Sequence, residues 1–445
     1  MSQRFAIVNA RLVDPASGTD EAGGVLVEDH HIVEFGPGVR GINLEDVEVI
    51  DAHGAILAPA LIDLRAGIEP PFTPGGETIS SLSAAAAAGG IGTLVLGPHA
   101  ATPFDTPETV RALGHETRPM RVRMPVAGGA TRSLAGETMS EIGLMHDAGA
   151  LFVSNGDAPI ADTRVLRSLL SYASHFEAWV ALRPADACLS AGAAATEGEW
   201  AARNGIPAEP AVAERMAIER LAALGELTGG RVLIDRISTE EGLEALSRAK
   251  RKGLEIGATA SVNSLLLNEV DAGGYDASMR LVPPLRFEAD REALVRAITE
   301  GLVDAIVSDH RPLSVEAKSE PWPEAAAGST GVETLLSGLL SLVHDGDALI
   351  ERVDEAHRSC DTRPCLLPSA GAHRDAQQGV ARGHGDEHPG AVVVPEVRRE
   401  PLHLRAEGDV LGEEHESPEV VARQREPLDR AMTEVLDAEA KERVL

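Results

Sequence analysis

The chain has 445 residues, 43% of them hydrophobic and only 3% aromatic, with a formal net charge of −30 at neutral pH. That charge excludes nucleic acid or an anionic membrane as a partner held by bulk electrostatics. The length exceeds one small domain and suits a barrel plus an accessory domain, and no uninterrupted apolar run of roughly 18 residues is present to span a membrane.

With so few aromatics, the core must be built mainly from Ala, Val, Leu and Ile. Three cysteines, Cys188, Cys360 and Cys365, are too few and too scattered for a disulfide framework, so a reducing cytoplasm is the expected setting. Cys360 and Cys365 read as ordinary thiols, with metal binding as the alternative. The N-terminus lacks a basic region followed by an apolar run, so no signal peptide is expected.

Residues 1–55 read as short strands with turns, the first part of a small β domain. Phe5–Val8 and Gly24–Val27 are apolar, β-rich runs, and Asp14–Gly18 is a turn cluster between them. Ile32–Gly36 and Val47–Asp51 alternate as half-buried strands do. His30, His31 and His53 fall here and read as surface or turn residues.

From 56 to 345 the pattern changes to apolar strand, loop and amphipathic helix, repeated. Strands are predicted at Thr93–Leu96, Ala150–Val153, Ala178–Leu182, Arg231–Ile234, Leu254–Gly257 and Ala305–Ser308. Helices are predicted at Ser80–Ala88, Ala211–Ala223, Thr239–Lys252 and Glu288–Glu300. Such alternation over nearly 300 residues predicts a parallel α/β fold of the (β/α)8 barrel type, with its chemistry at the C-terminal ends of the strands. The run Ala84–Ala88 followed by Gly89-Gly90 reads as helix packing and termination, not as a phosphate loop.

Residues 346–445 differ. After Ile350 there is no Ile, Phe, Trp or Tyr, and six of the fifteen histidines lie here at irregular spacing. A segment so poor in bulky apolar residues buries little core and reads as a loosely ordered, solvated tail. Metal capture by its histidines is one alternative; translation in a shifted reading frame is another. A helical pattern at Leu428–Leu445 is the exception.

Several phrases carry a family resemblance. They are Pro59–Leu64, Gly76-Glu77-Thr78 before the alanine-rich helix, Asn204–Pro207, Ile237-Ser238-Thr239, Pro283–Arg286, Ser308-Asp309-His310 and the loop Glu324–Thr334. Their order and spacing resemble dihydroorotase and its relatives in the amidohydrolase superfamily, from the N-terminus to about residue 345. The resemblance implies a (β/α)8 barrel with a small β-sandwich domain, and a zinc centre at the barrel mouth that polarises water to open or close a dihydropyrimidine ring.

Carried over position by position, the metal ligands of the family are absent. The His-x-His pair falls on Arg65 and Gly67. The bridging residue falls near Ser154-Asn155, and the next two histidines fall on Arg183 and Arg236. A guanidinium has no free lone pair and stays charged at any biological pH. Only the final aspartate survives, as a vestigial catalytic position at Asp309. The arginine that grips the substrate carboxylate falls on Glu69, which inverts the charge. The asparagine preceding Pro-Pro-Leu-Arg is Val282, and the methionine-proline-asparagine motif is replaced around Pro98–Thr102. His99 and His175 lie near element ends and complete no ligand set.

The resemblance implies a catalytically inactive dihydroorotase-like chain without a zinc cofactor. Its role would be that of an oligomeric structural partner of the aspartate transcarbamoylase catalytic chain in cytoplasmic pyrimidine biosynthesis. The alternative is an active cyclic-amide hydrolase with an altered metal site or substrate. Three arginines at former ligand positions carry a further expectation: Asp309 pairs with one or more of Arg65, Arg183 and Arg236. His310, its neighbour on a strand, is expected to face away from it.

Overall fold

The computed structural model describes residues 4–15, 17–29, 31–41, 47–68, 76–344 and 392–394. They fall into two compact units that meet in sequence at Ala60–Leu61.

The first unit is a sheet. Its strands are β1 (Arg4–Asp14), β2 (Thr19–Glu28), β3 (His31–Gly36), β4 (Glu48–Asp51) and β5 (Ile56–Ala58). β1 is the central strand. It pairs antiparallel with β2 along its length, and parallel first with β4 and then with β5. Ile7, Leu12, Val25 and Leu57 close its core. One further strand, Val392–Val394, pairs antiparallel with Ile56–Ala58. Sequence alone predicts no strand after residue 350. Three valines are too short a run to show periodicity, and their neighbours carry little apolar bulk. The remainder of the tail, with Cys360, Cys365 and its histidines, lies outside the described residues.

The second unit is a (β/α)8 barrel. In chain order its strands are β6 (Leu61–Ala66), β7 (Ile91–Leu96), β8 (Val126–Gly129), β9 (Ala150–Ser154), β10 (Trp179–Leu182), β13 (Arg231–Ile234), β14 (Ile256–Ser261) and β15 (Ala305–Val307), with a two-residue pair, β11 (Ala195–Thr196) and β12 (Ala208–Glu209), between β10 and β13. The eight barrel strands are parallel neighbours in that order. A parallel bridge between Ala66 and His310 brings the two ends of the sheet together.

Helices cover the barrel: α1 (Ile79–Ala88), α2 (Pro107–Glu116), α3 (Ile142–Asp147), α4 (Thr163–Ala173), α5 (Glu199–Asn204), α6 (Ala211–Thr228), α7 (Glu240–Arg251), α8 (Val262–Leu266), α9 (Glu288–Thr299), α10 (Val315–Lys318) and α11 (Leu335–His344). Several begin with a side-chain cap. Thr78 and Ser81 form a reciprocal capping box at α1, and Thr239 caps α7. The core is Leu, Ile, Val and Ala, including Leu94, Leu96, Val180, Leu182, Val232, Ile234, Ala258 and Ala260, as the scarcity of aromatics requires.

The expected strand at Leu254–Gly257 is displaced to Ile256–Ser261, and β8 was not predicted, because Val-Ala-Gly-Gly offers little apolar signal. Gly89 ends α1 for a steric reason. A Cβ there would lie 1.9 Å from the Val332 carbonyl oxygen, so the alanine-glycine run serves packing, as expected. A smaller core lies in the loops after β10, β14 and β15, where Trp200 and Trp322 meet edge to face at 5.6 Å in one cluster with Leu281 and Leu285.

Candidate functional site

The strand ends at the barrel mouth gather a six-residue ion cluster. Arg65 leaves β6, Asp235 and Arg236 follow β13, Asp309 and Arg311 follow β15, and Asp157 sits in the turn after β9. Arg65 reaches three carboxylates: Nη2 to Asp157 Oδ1 at 2.8 Å, Nη1 to Asp235 Oδ2 at 2.7 Å, and Nε to Asp309 Oδ1 at 3.2 Å. Arg236 reaches the same three, at 2.5 Å (Asp157), 3.3 Å (Asp235) and 2.8 Å (Asp309). Arg311 Nη1 adds a contact to Asp157 Oδ2 at 2.9 Å.

Three guanidiniums thus meet three carboxylates in a neutral arrangement. The expected pairing of Asp309 with Arg65 and Arg236 is present. Asp157, Asp235 and Arg311 were not foreseen. Arg236 and Asp309 both adopt left-handed backbone, with φ of 62° and 52°. That conformation is costly for a residue with a side chain and is held only where its surroundings over-determine it.

Electrostatics follow the geometry. Burial alone would raise the Asp157 carboxyl, but Arg236, Arg65 and Arg311 outweigh it and hold it well below the usual range. Burial acts to lower Arg236, yet Asp309, Asp235 and Asp157 raise it, so its charge is permanent. Burial pushes the Asp309 carboxyl upward; Arg236 and Arg65 oppose this, and Asp157 and Asp235 add to the rise. His99 is half-buried nearby and is held below its ordinary value by burial and by Arg311.

Other sequence-predicted positions have separate roles. The Gly67 N–H donates to the His310 carbonyl at 2.8 Å. The Val282 carbonyl accepts from Arg236 Nη1 at 2.5 Å. Asn155 is fully buried; it accepts from Thr131 Oγ1 and donates to the carbonyls of Leu134 and Ala158. Arg183 does not join the cluster. It pairs with Glu209, which Arg286 also holds at 2.5 Å. Burial would raise Glu209, and Arg183 with Arg286 bring it below its ordinary value. Glu69 and His30 lie outside the described residues. His53 and His175 are exposed.

His310 turns from Asp309 as expected. Its Nδ1 accepts the Gly331 N–H at 3.0 Å, which places the ring proton on Nε2, where it donates to Glu77 Oε2 at 2.6 Å. Beneath the cluster Asp63 is fully buried and accepts from Ser308 Oγ and from the Arg65 and Ser308 N–H groups. Burial pushes its carboxyl up to about 6.

The mouth does not fit a zinc ion. Zinc takes three or four His, Cys or carboxylate donors at about 2 Å. Among the described residues no group of three such side chains is arranged to hold a metal. The three carboxylates present are already shared by guanidiniums, and a dication among them would face three fixed positive charges.

A nearly closed parallel barrel with polar side chains gathered at its strand ends is the (β/α)8 class of scaffold, which places its chemistry at this face. A family model described as "Dihydro-orotase-like" matches residues 54–242. A "Dihydroorotase-like protein" of Pseudomonas aeruginosa is 32% identical over 343 residues, covering 77% of this chain and 81% of the relative. A "Dihydroorotase" of Syntrophotalea carbinolica is 31% identical over 344 residues, covering 77% and 80%. The chain belongs to the dihydroorotase-like family. Among solved structures, an L-hydantoinase (dihydropyrimidinase) from Arthrobacter aurescens superimposes with a TM-score of 0.67 at 24% identity, covering 79% of this chain and 80% of the other, a likeness of fold.

Proposed function

We propose that this chain is a catalytically silent dihydroorotase-like protein that serves as a structural partner of aspartate transcarbamoylase in a cytoplasmic, oligomeric assembly of pyrimidine biosynthesis. The observation that supports the reading is the ion cluster. Where the family frame places metal ligands, Arg65 and Arg236 bind carboxylates, Gly67 has no side chain, and Arg183 is committed to Glu209. A scaffold that retains its barrel while committing these positions to internal ion pairs has lost the means to make hydroxide at neutral pH.

No helix among the described residues is long and apolar enough to cross a membrane, which is compatible with this setting. The second reading is an active cyclic-amide hydrolase, favoured by the name "Dihydroorotase" that several relatives carry. Co-expression with the aspartate transcarbamoylase of the same genome separates the two. The expected result is a stable mixed complex, no dihydroorotate turnover by this chain and no stoichiometric metal. Ring-opening activity with bound metal from the isolated chain overturns the proposal.

A further inference from the structure

Asp157 differs from the other two carboxylates of the cluster. Asp235 and Asp309 lie at strand ends. Asp157 comes from the turn after β9, and both of its oxygens are engaged: Oδ1 by Arg65 and Arg236, Oδ2 by Arg311. Three guanidiniums from three different strand ends converge on one carboxylate. Without that carboxylate they would face only Asp235 and Asp309, leaving a single positive charge. This is the charge and fork geometry of a site for a monoanionic carboxylate. The Asp157 side chain is 25% exposed, so the site opens to solvent on one side.

We propose that Arg65, Arg236 and Arg311 form a carboxylate receptor at the barrel mouth, and that this chain fills it with its own Asp157. Two of the three arginines, Arg65 and Arg236, are held independently of the occupant, while Arg311 meets it from a third strand end. Asp235 and Asp309 fix the guanidiniums of Arg65 and Arg236, and the Val282 carbonyl takes one more Arg236 donor. The turn carrying Asp157 is likewise held without it: Asn155 bonds the Ala158 and Leu134 carbonyls and Thr131, and Gly156 N–H donates to Ser154 Oγ. Removing the Asp157 carboxylate therefore leaves a walled, positively charged space of formate size. The self-occupied site keeps external anions out of the mouth. This inference rests on the ion geometry and does not depend on the partner proposed above.

The test is chemical rescue in the full-length chain. Asp157→Ala deletes a carboxylate group and keeps the backbone; Asp157→Asn keeps the volume and loses the charge. Thermal unfolding is followed in sodium formate and in sodium chloride at matched ionic strength. The expected result is a midpoint several degrees lower for both variants, with saturable recovery of Asp157→Ala by formate alone. The parent and Asp157→Asn, whose sites are filled, should respond equally to the two salts. If Asp157→Ala does not accumulate folded, its refolding yield from denaturant in the two salts is the readout. Three results overturn the proposal: formate no better than chloride for Asp157→Ala, the same formate benefit in all three chains, or an Asp157→Ala chain as stable as the parent.

Discussion

The guanidinium of Arg65 lies 3.2 Å from the carboxylate of Asp309, although 244 residues separate them in sequence. The contact joins the first and last strands of the barrel, β6 and β15, where the sheet closes. Arg65→Gln leaves Asp309, Asp157 and Asp235 short of one counter-charge in a largely desolvated place. Breaking a buried pair from one side costs about 3 kcal/mol. Urea denaturation should show that loss. A change under about 1 kcal/mol would mean that the pair contributes little to the closure.

Two aspartates give the pH profile opposite slopes. Asp157 has a folded value below its unfolded one, so its stabilisation is present above about pH 4 and is lost as the pH falls. Asp63 has a folded value raised to about 6. Between about pH 4 and 6 the folded state binds more protons there, so this group takes away stability as the pH rises, by about 3 kcal/mol in all. Asp63→Asn should gain on the parent from about pH 4 to 6 and level off above that. A constant difference across that range would contradict the assignment.

Chelation should leave the molecule unchanged. The mouth offers no set of free donors, so treatment with a strong chelator or addition of zinc should not move the unfolding midpoint. Elemental analysis should find no stoichiometric metal. A midpoint that falls on chelation would show a metal-linked fold.

Restoring histidines should not restore a metal site. A Cβ at Gly67 would meet Arg311 Cγ and the His310 carbonyl oxygen, each at 3.9 Å, an ordinary contact distance, so a Cβ is tolerated there. The double change Arg65→His, Gly67→His nonetheless removes the guanidinium shared by Asp157, Asp235 and Asp309. The expected outcome is a chain less stable by about 3 kcal/mol, without dihydroorotate turnover. Measurable turnover in the double variant would refute this.

A second buried pair gives a comparison. Glu209 is 1% exposed and is shared by Arg183 and Arg286. Arg280 lies close enough to Arg183 for burial and repulsion to lower its value. Glu209→Gln keeps the volume and strands two guanidiniums, so unfolding should come about 3 kcal/mol earlier. The loops after β10 and β14 should become the first to exchange amide protons.

Much of the barrel was legible because its strands and helices carry local signals: apolar runs, period-3.6 faces and caps. Arg65, Arg236 and Asp309 were legible through their strand-end frame. Asp157 and Arg311 were not. An ion pair between positions 154 residues apart leaves no trace in local periodicity. Asp235, the neighbour of Arg236, was obscured for another reason. Neighbours on a strand face opposite ways, yet both enter the cluster, because the left-handed turn at Arg236 ends the alternation. The strand Val392–Val394 was missed because three residues cannot establish a pattern.

His310 has both ring nitrogens committed, one receiving the Gly331 amide and the other giving its proton to Glu77. An imidazole so engaged has neither a spare lone pair nor a spare proton for traffic with a ligand. It acts as a rivet between the entrance of α1 and the loop that packs on Gly89, and any proton relay at this barrel mouth must run through some other group.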